Sequence, residues 1–460
     1  MVSRARIQLR TPMRVAVVGG GPAGAFFAYS LLNLARIRGH RLEVNIFEPK
    51  EFGNKGAPNC NYCQGVVAAG LVKAMAGIGL SLPDRVIQDR IRSYRLVTLG
   101  GSLRLWAPED REIYTVYRGQ GPHPEVAGPI SFDQFLLESA LQAGASQTPA
   151  WVERVSIRPG AVDPVLLADR EGRSYPADVV VGAFGVNSAF AAEFESLGAG
   201  YLRPGTSSAL QAEYRVPEEF ISRRFGHEIK VFALGLYPVR FGVITPKRGY
   251  ITVSLIGKNL GKAHLERFMR HPEVVKFLPG DLEPSDTRCH CAPLFPTTHG
   301  KGLAGAHYLI IGDAGVSRYY KNGIESALAS AELAAGVLLE HGPSAAGPLQ
   351  RCYARRIQAR FRLDNFLGRI LFRIHDLINR FPMFTRAHLS LAGDSERAGG
   401  YSRRRLRWIL WNMFTGDAAY HRIFLRCLDP VLLVSVFLAT AAEFFGRDRR
   451  AGTLSGEQDG

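Results

Sequence analysis

Long apolar runs, cysteine and acidic charge are all scarce in this chain, and each shortage excludes something. No stretch offers the roughly twenty uninterrupted apolar residues that a membrane-spanning helix needs. The nearest approach, Pro430 to Phe445, is broken by Glu443. Six cysteines in 460 residues fit no disulfide framework, so a reducing, cytosolic compartment is expected. Met1 to Arg14 is basic but leads into Val-Ala-Val-Val and then glycine. That reads as a buried strand entering a turn, not as a signal peptide. Acidic residues number 41 against 57 Lys and Arg, a net charge of +16. Such a balance favours anionic partners. No reader motif accompanies it, so nucleic acid is not expected among them.

What is present is the composition of a globular protein, with 46% hydrophobic and 21% charged residues. The length suggests roughly two or three domains. Near the start, Arg14-Val-Ala-Val-Val18 is a short β-branched run, followed at once by Gly19-Gly-Gly21-Pro22-Ala23-Gly24. A helical pattern then runs from Ala25 to Ala35, Gly39 ends it, and Leu42 to Phe47 reads as a second strand closed by Glu48. Gly19 permits the tight turn, Gly21 lets backbone approach a diphosphate, and Gly24 allows close packing of helix and strand. The helix N-terminus offers N–H groups and a positive dipole end to phosphate. Glu48 can accept both hydroxyls of an adenosine ribose and would repel a 2′-phosphate, so the ligand is expected to be FAD or NAD, not NADP. Gly19, Gly21, Pro22, Ala23, Gly24 and Glu48 are its expected contacts.

A second segment completes the pattern. Ala306 to Ile311 is an apolar strand ending in Gly312-Asp313, and a small-residue helix follows Asn322-Gly323-Ile324. The aspartate can hold a ribityl hydroxyl. The helix start at Gly323 and Ile324 can face flavin oxygens that gain charge on reduction. Taken alone, the segment is equally an ordinary strand–turn–helix with an Asp cap. Joined to the first unit, it favours a flavin.

These motifs resemble the flavoproteins of the para-hydroxybenzoate hydroxylase fold. Within them the chain is most similar to the geranylgeranyl reductase group and its electron-transfer-flavoprotein dehydrogenase relatives. The resemblance implies an α/β architecture. A Rossmann-like FAD-binding domain (13–60, 131–205, 300–342) interleaves with a mixed β-sheet substrate domain (61–130, 206–299). A C-terminal helical region (343–446) and a tail (447–460) follow. The middle family motif is altered, with Phe184 where an aspartate is usual. That weakens the case for a pyridine-nucleotide site of the hydroxylase kind. The reductases also carry a Pro-x-x-Tyr-x-Trp-x-Phe-Pro signature over the flavin. Here Pro238-Val-Arg-Phe241-Gly-Val243-Ile-Thr245-Pro246 keeps both prolines and one aromatic. Phe241, Val243 and Thr245 are the substrate-binding positions the resemblance implies, with a reshaped cavity.

Cys60-Asn-Tyr-Cys63-Gln-Gly65 falls where the reductases place a Cys-Gly-Gly loop beside the flavin ring. Cys63, and after it Cys60, are therefore candidate catalytic thiols able to supply a proton. Three other readings stay open: a redox disulfide between them, a metal or iron–sulfur site shared with Cys289-His290-Cys291, and small residues buried in a tight loop. No resident metal is expected.

The last third is helical and rich in arginine interleaved with apolar residues, over 351–381 and again over 402–428. Pro430 to Phe445 then reads as a helix lying on a membrane surface, slightly ahead of a buried helix. The expected function is hydride transfer from reduced FAD to a carbon–carbon double bond of an isoprenoid or other hydrophobic lipid, by an enzyme peripheral on the inner membrane face. A monooxygenase or halogenase, and an electron carrier to quinone, are the competing readings. Only one nucleotide fingerprint is visible, so the electron donor is expected to bind transiently: NAD(P)H, ferredoxin or a flavoprotein.

Overall fold

The computed structural model describes residues 12–56, 59–61, 64–108, 111–122, 130–393 and 400–454, with side chains to Phe445. Two compact units result. The first comprises Met1–Gln88, Val116–Ser208 and Pro293–Leu363, and the second Asp89–Thr115, Ala209–Ala292 and Asp364–Gly460. The expected domains divide the chain differently. Residues 61–88 group with the nucleotide-binding part, and the C-terminal helical region is shared. Its first long helix, Ala346–Arg380, begins by packing under the nucleotide sheet, where Tyr353 OH donates to Ile310 O at 3.0 Å.

In the first unit, six strands run in the spatial order 304–305, 308–310, 179–182, 13–18, 42–47, 146–148. All but the first are parallel. Parallel strands are buried on both faces, which is why Val15–Val18 of the Met13–Val18 strand reads as a continuous apolar run. Its side chains divide between two layers. Val17 lies under the helix Pro22–Arg38, as its contact with Gly24 shows. Ala16 and Val18 join a cluster with Phe47, Phe190, Phe194 and Tyr308 on the other face. The helix starts on Pro22, which suits a first turn. It ends on Gly39, left-handed at φ 71°.

The second unit is built on an antiparallel-rich sheet. Its strands follow in the order 289–291, 209–215, 250–257, 239–247, 228–233, 93–98, 101–106. One face packs Ile244, Ile251, Val253 and Leu255 against the Lys262–Met269 helix. The other carries Phe241, Val243, Thr245 and Lys247, set by the alternation of the strand. Phe241 stacks on Phe372 of the Ala346–Arg380 helix, with ring centroids 6.5 Å apart. The helical stretch expected over 402–428 comprises two helices, Tyr401–Thr415 and Tyr420–Cys427. Gly416 is left-handed at φ 77°, and Asp417 accepts the Trp411 indole N–H at 2.9 Å, so the chain stops and turns there.

Candidate functional site

The three fingerprint glycines are needed for three different reasons. Gly19 has φ +107°, and a Cβ there would lie 2.6 Å from the Ala183 carbonyl oxygen. At Gly24 a Cβ would stand 1.9 Å from the Gly19 carbonyl oxygen. Above Gly21 a Cβ would meet only Asn61 Nδ2, at 3.6 Å. The first two are packing demands of the fold. The third leaves clear space over the helix N-terminus, where a diphosphate needs bare backbone.

Glu48 is buried at the end of the second strand, 8% exposed. Its two carboxylate oxygens accept the backbone N–H groups of Gly20 at 2.9 Å and Lys50 at 3.0 Å. Each oxygen keeps a lone pair for a ribose hydroxyl. Burial pushes its carboxyl above the ordinary range, while these two hydrogen bonds pull the other way. A polar cavity of about 320 Å³ lies beside it, lined by Lys50, Glu51, Gly53, Asn54, Gln134 and Gln147. Gln147 Nε2 donates to the Glu48 carbonyl at 3.1 Å, which ties the cavity to the ribose acid.

The second motif comes to the same place. Gly312 is left-handed, φ +60°, and a Cβ there would lie 2.5 Å from Ala23 Cβ. The Gly312-Asp313 turn therefore sits against the first residues of the Pro22–Arg38 helix. Gly312 N–H donates to Ser330 Oγ at 3.0 Å, which ties the turn to the Gly323–His341 helix. Asp313 Oδ1 is shielded from solvent and has no hydrogen-bond partner. Such an orphaned acceptor calls for a donor, and a ribityl hydroxyl supplies one.

Sequence reading missed the group that links the two halves. Arg118 donates to Asp133 from Nε at 3.2 Å and from Nη2 at 2.9 Å. Asn61 Nδ2 also donates to Asp133, which has no exposed surface. The same guanidinium acts electrostatically on Asp313. One cation thus binds Asp133 directly and also favours the ionised form of Asp313. The available signal was Ser131-Phe-Asp-Gln134 ahead of an apolar helix, in which Ser131 Oγ caps Gln134 N–H at 3.1 Å. Lys321, two residues before the Gly323–His341 helix, was also missed. Burial, with Arg318 nearby, lowers its ammonium to about 8.

Burial pushes the Asp313 carboxyl up, and Arg118 and Ser317 partly offset this. Just above the ordinary carboxylate range, the folded apoprotein therefore keeps a proton that the unfolded chain has lost. Apoprotein stability falls as pH rises through that window. A ribityl hydroxyl favours the ionised form. FAD affinity should therefore weaken as pH drops through the same window, and Asp313→Asn should reduce the dependence. Titrating apoprotein with FAD at mildly acidic pH measures this; an equal slope in Asp313→Asn counts against it.

The remaining expected positions divide. Phe184 packs edge-on to Phe190 at 5.5 Å and tilted on Phe194 at 5.5 Å, so the residue in place of the family aspartate fills an aromatic cluster. Thr245 has no exposed surface and Phe241 is 7% exposed. Beside Thr245, Lys247 Nζ lies 3.1 Å from Glu213 Oε1, which also accepts Thr252 Oγ1 at 2.7 Å. Cys60 is half-buried, with its carbonyl accepting Lys50 Nζ at 3.0 Å. Cys63 lies outside the described residues. Cys291 Sγ lies 3.6 Å from Gln211 Oε1 on the neighbouring strand. Among the described residues, no three His, Cys, Asp or Glu side chains are placed to hold a metal.

The fold and the site together define an FAD-binding oxidoreductase with a Rossmann-type nucleotide domain, and the residues present fit FAD at both ends. A family model described as FAD-NAD(P)-binding matches residues 16–67. Geranylgeranyl diphosphate reductase from Synechocystis sp. is 25% identical over 272 residues, 55% of this chain and 57% of that protein. The chain thus matches little more than half the length of that curated relative. A geranylgeranyl bacteriochlorophyll reductase-like protein from Thermoplasma acidophilum has a similar structure, with a TM-score of 0.58 at 17% identity, covering 94% of this chain and 97% of that one. A flavin-dependent halogenase superposes with a TM-score of 0.57 at 15% identity, over 87% of this chain and 77% of its own.

Proposed function

We propose that this protein reduces a carbon–carbon double bond of an isoprenoid or similar lipid. Bound, reduced FAD supplies the hydride. The chain's own residues hold and tune it. Backbone N–H groups at the Pro22 helix start take the diphosphate, Glu48 takes the ribose, and Asp313 takes a ribityl hydroxyl. The Gly323 helix start faces the pyrimidine end with its positive dipole. Cys63 and Cys60 are the candidates for protonating the second alkene carbon, with Lys321 as a further proton source. Phe241 and Val243 line the substrate strand.

The observation that carries this reading is the pair of reductase likenesses, one from sequence and one over nearly the full chain. The packed Phe184 adds to it, because the hydroxylase-type motif has lost its acid there. The test is anaerobic. Enzyme reduced with dithionite should be reoxidised by a polyprenyl lipid, with a saturated product seen by mass spectrometry. No reoxidation by any polyprenyl lipid, together with rapid NAD(P)H consumption and peroxide release in air, would place it among the oxygen-using enzymes instead.

A further inference from the structure

Soluble proteins turn the polar side of a surface helix outward. The described side chains of the last helix, Pro430–Phe445, do the reverse. Its inward side carries buried Leu432, Ser435, whose hydroxyl lies 2.7 Å from that of Ser402, and Glu443, which accepts Arg386 Nε at 3.1 Å. On its outward side, Val431, Val434, Phe437, Leu438 and Phe445 are 56%, 57%, 71%, 60% and 65% exposed. The Tyr420–Cys427 helix before it adds Leu425 and Leu428, also more than half exposed, with Ile423 turned in. Of the 25 exposed large apolar side chains in the described protein, 14 fall between Phe366 and Phe445. An apolar patch of this kind marks a contact surface.

Charge says what the surface contacts. Between Asp364 and Leu454 there are 14 arginines, no lysine and eight acidic residues. Arg422 and Arg426 flank Leu425, and the Arg426 guanidinium lies 3.6 Å from the centre of the Trp408 ring. Arginines beside apolar side chains match a layer that is oily below and anionic at its surface. A second copy of this chain would instead bring two positive arrays together. Among the described residues no single helix is long and apolar enough to cross a membrane, and these two meet at 65°. The bonds to Ser402 and Arg386 fix the inner side of the last helix, so only its outer side is available.

We propose that the outward faces of Tyr420–Cys427 and Pro430–Phe445 dock on an anionic lipid bilayer. The proposal is independent of the reaction the flavin performs. It implies that a lipid substrate is collected from the membrane surface.

The test is flotation of full-length, FAD-loaded protein with vesicles of phosphatidylcholine alone, or with about one third phosphatidylglycerol. Protein should float with the anionic vesicles, less with the neutral ones, and less as salt is raised. Phe437→Ser combined with Leu438→Ser should lower the bound fraction about tenfold or more, with flavin absorbance and melting unchanged. In Phe437→Trp, brominated acyl chains should quench the added fluorescence. The proposal is overturned by wild-type protein that stays behind with both vesicles, by a double variant that floats like wild type, or by a Phe437→Trp that is not quenched. A wild-type dimer that the double variant converts to monomer would assign the surface to a second copy and overturn it equally.

Discussion

Gly24→Ala is expected to yield protein that is colourless and less stable by about 3 kcal/mol. The added Cβ would stand 1.9 Å from the Gly19 carbonyl oxygen and 3.1 Å from Val17 Cγ1. The turn cannot yield, because Gly19 is itself wedged against the Ala183 backbone in a left-handed conformation. The helix must therefore lift off the strand, and its N-terminal N–H groups move with it. Gly21→Ala makes the contrast. Its Cβ meets only Asn61, so the apoprotein should melt like wild type while FAD affinity falls, since the methyl group enters the space left for the diphosphate. Flavin absorbance after purification and apoprotein melting curves separate the two. If Gly24→Ala emerged yellow and as stable as wild type, the tight helix–strand contact would be wrong.

Asp133→Ala should be comparably damaging, for an electrostatic reason. The carboxylate is fully buried and takes two bonds from Arg118 and one from Asn61. Removing it leaves the guanidinium without its principal partner, a change that costs about 3 kcal/mol or more at such sites. Arg118 is also drawn toward Asp313, which then loses its readiness for a ribityl hydroxyl. Asp133→Asn preserves shape and one acceptor, and should fall between the alanine variant and wild type. Urea unfolding of apoprotein and FAD titration measure both effects. An Asp133→Ala protein with an unchanged urea midpoint and unchanged FAD affinity would show that this ion pair holds nothing together.

Much of the nucleotide domain could be read from local pattern. The Leu42–Phe47 strand and the Gly39 stop follow from local pattern and a left-handed cap, while the helix expected from Ala25 to Ala35 is three residues longer at each end, Pro22–Arg38. The demand for glycine at position 24 was legible because it arises within a few residues, from the Gly19 carbonyl oxygen, whereas the Ala183 backbone that crowds Gly19 is distant in sequence. The turn after Ile311 and the helix after Gly323 were legible for the same reason. Arg118, Asp133 and Asn61 were not. They are separated by up to 72 positions along the chain, and nothing in the spacing of a lone Arg or a first-turn Asp announces that they will meet. The fate of Phe184 was equally hidden, since nothing in the local pattern shows that it packs with Phe190 and Phe194.

By itself, then, the sequence determined the strand–glycine–helix unit, the acid that closes the second strand and the late Gly-Asp turn. Chain stiffness, sterics at glycine and hydrophobic alternation act within a few residues of one another. Only tertiary structure decided that Gly312 lies against Ala23, that Arg118 bonds Asp133 and also acts on Asp313, and that the last helix turns Ser435 and Glu443 toward Ser402 and Arg386. Those outcomes depend on which buried polar groups find partners once all the strands and helices compete for the same space, and that competition has no local signature.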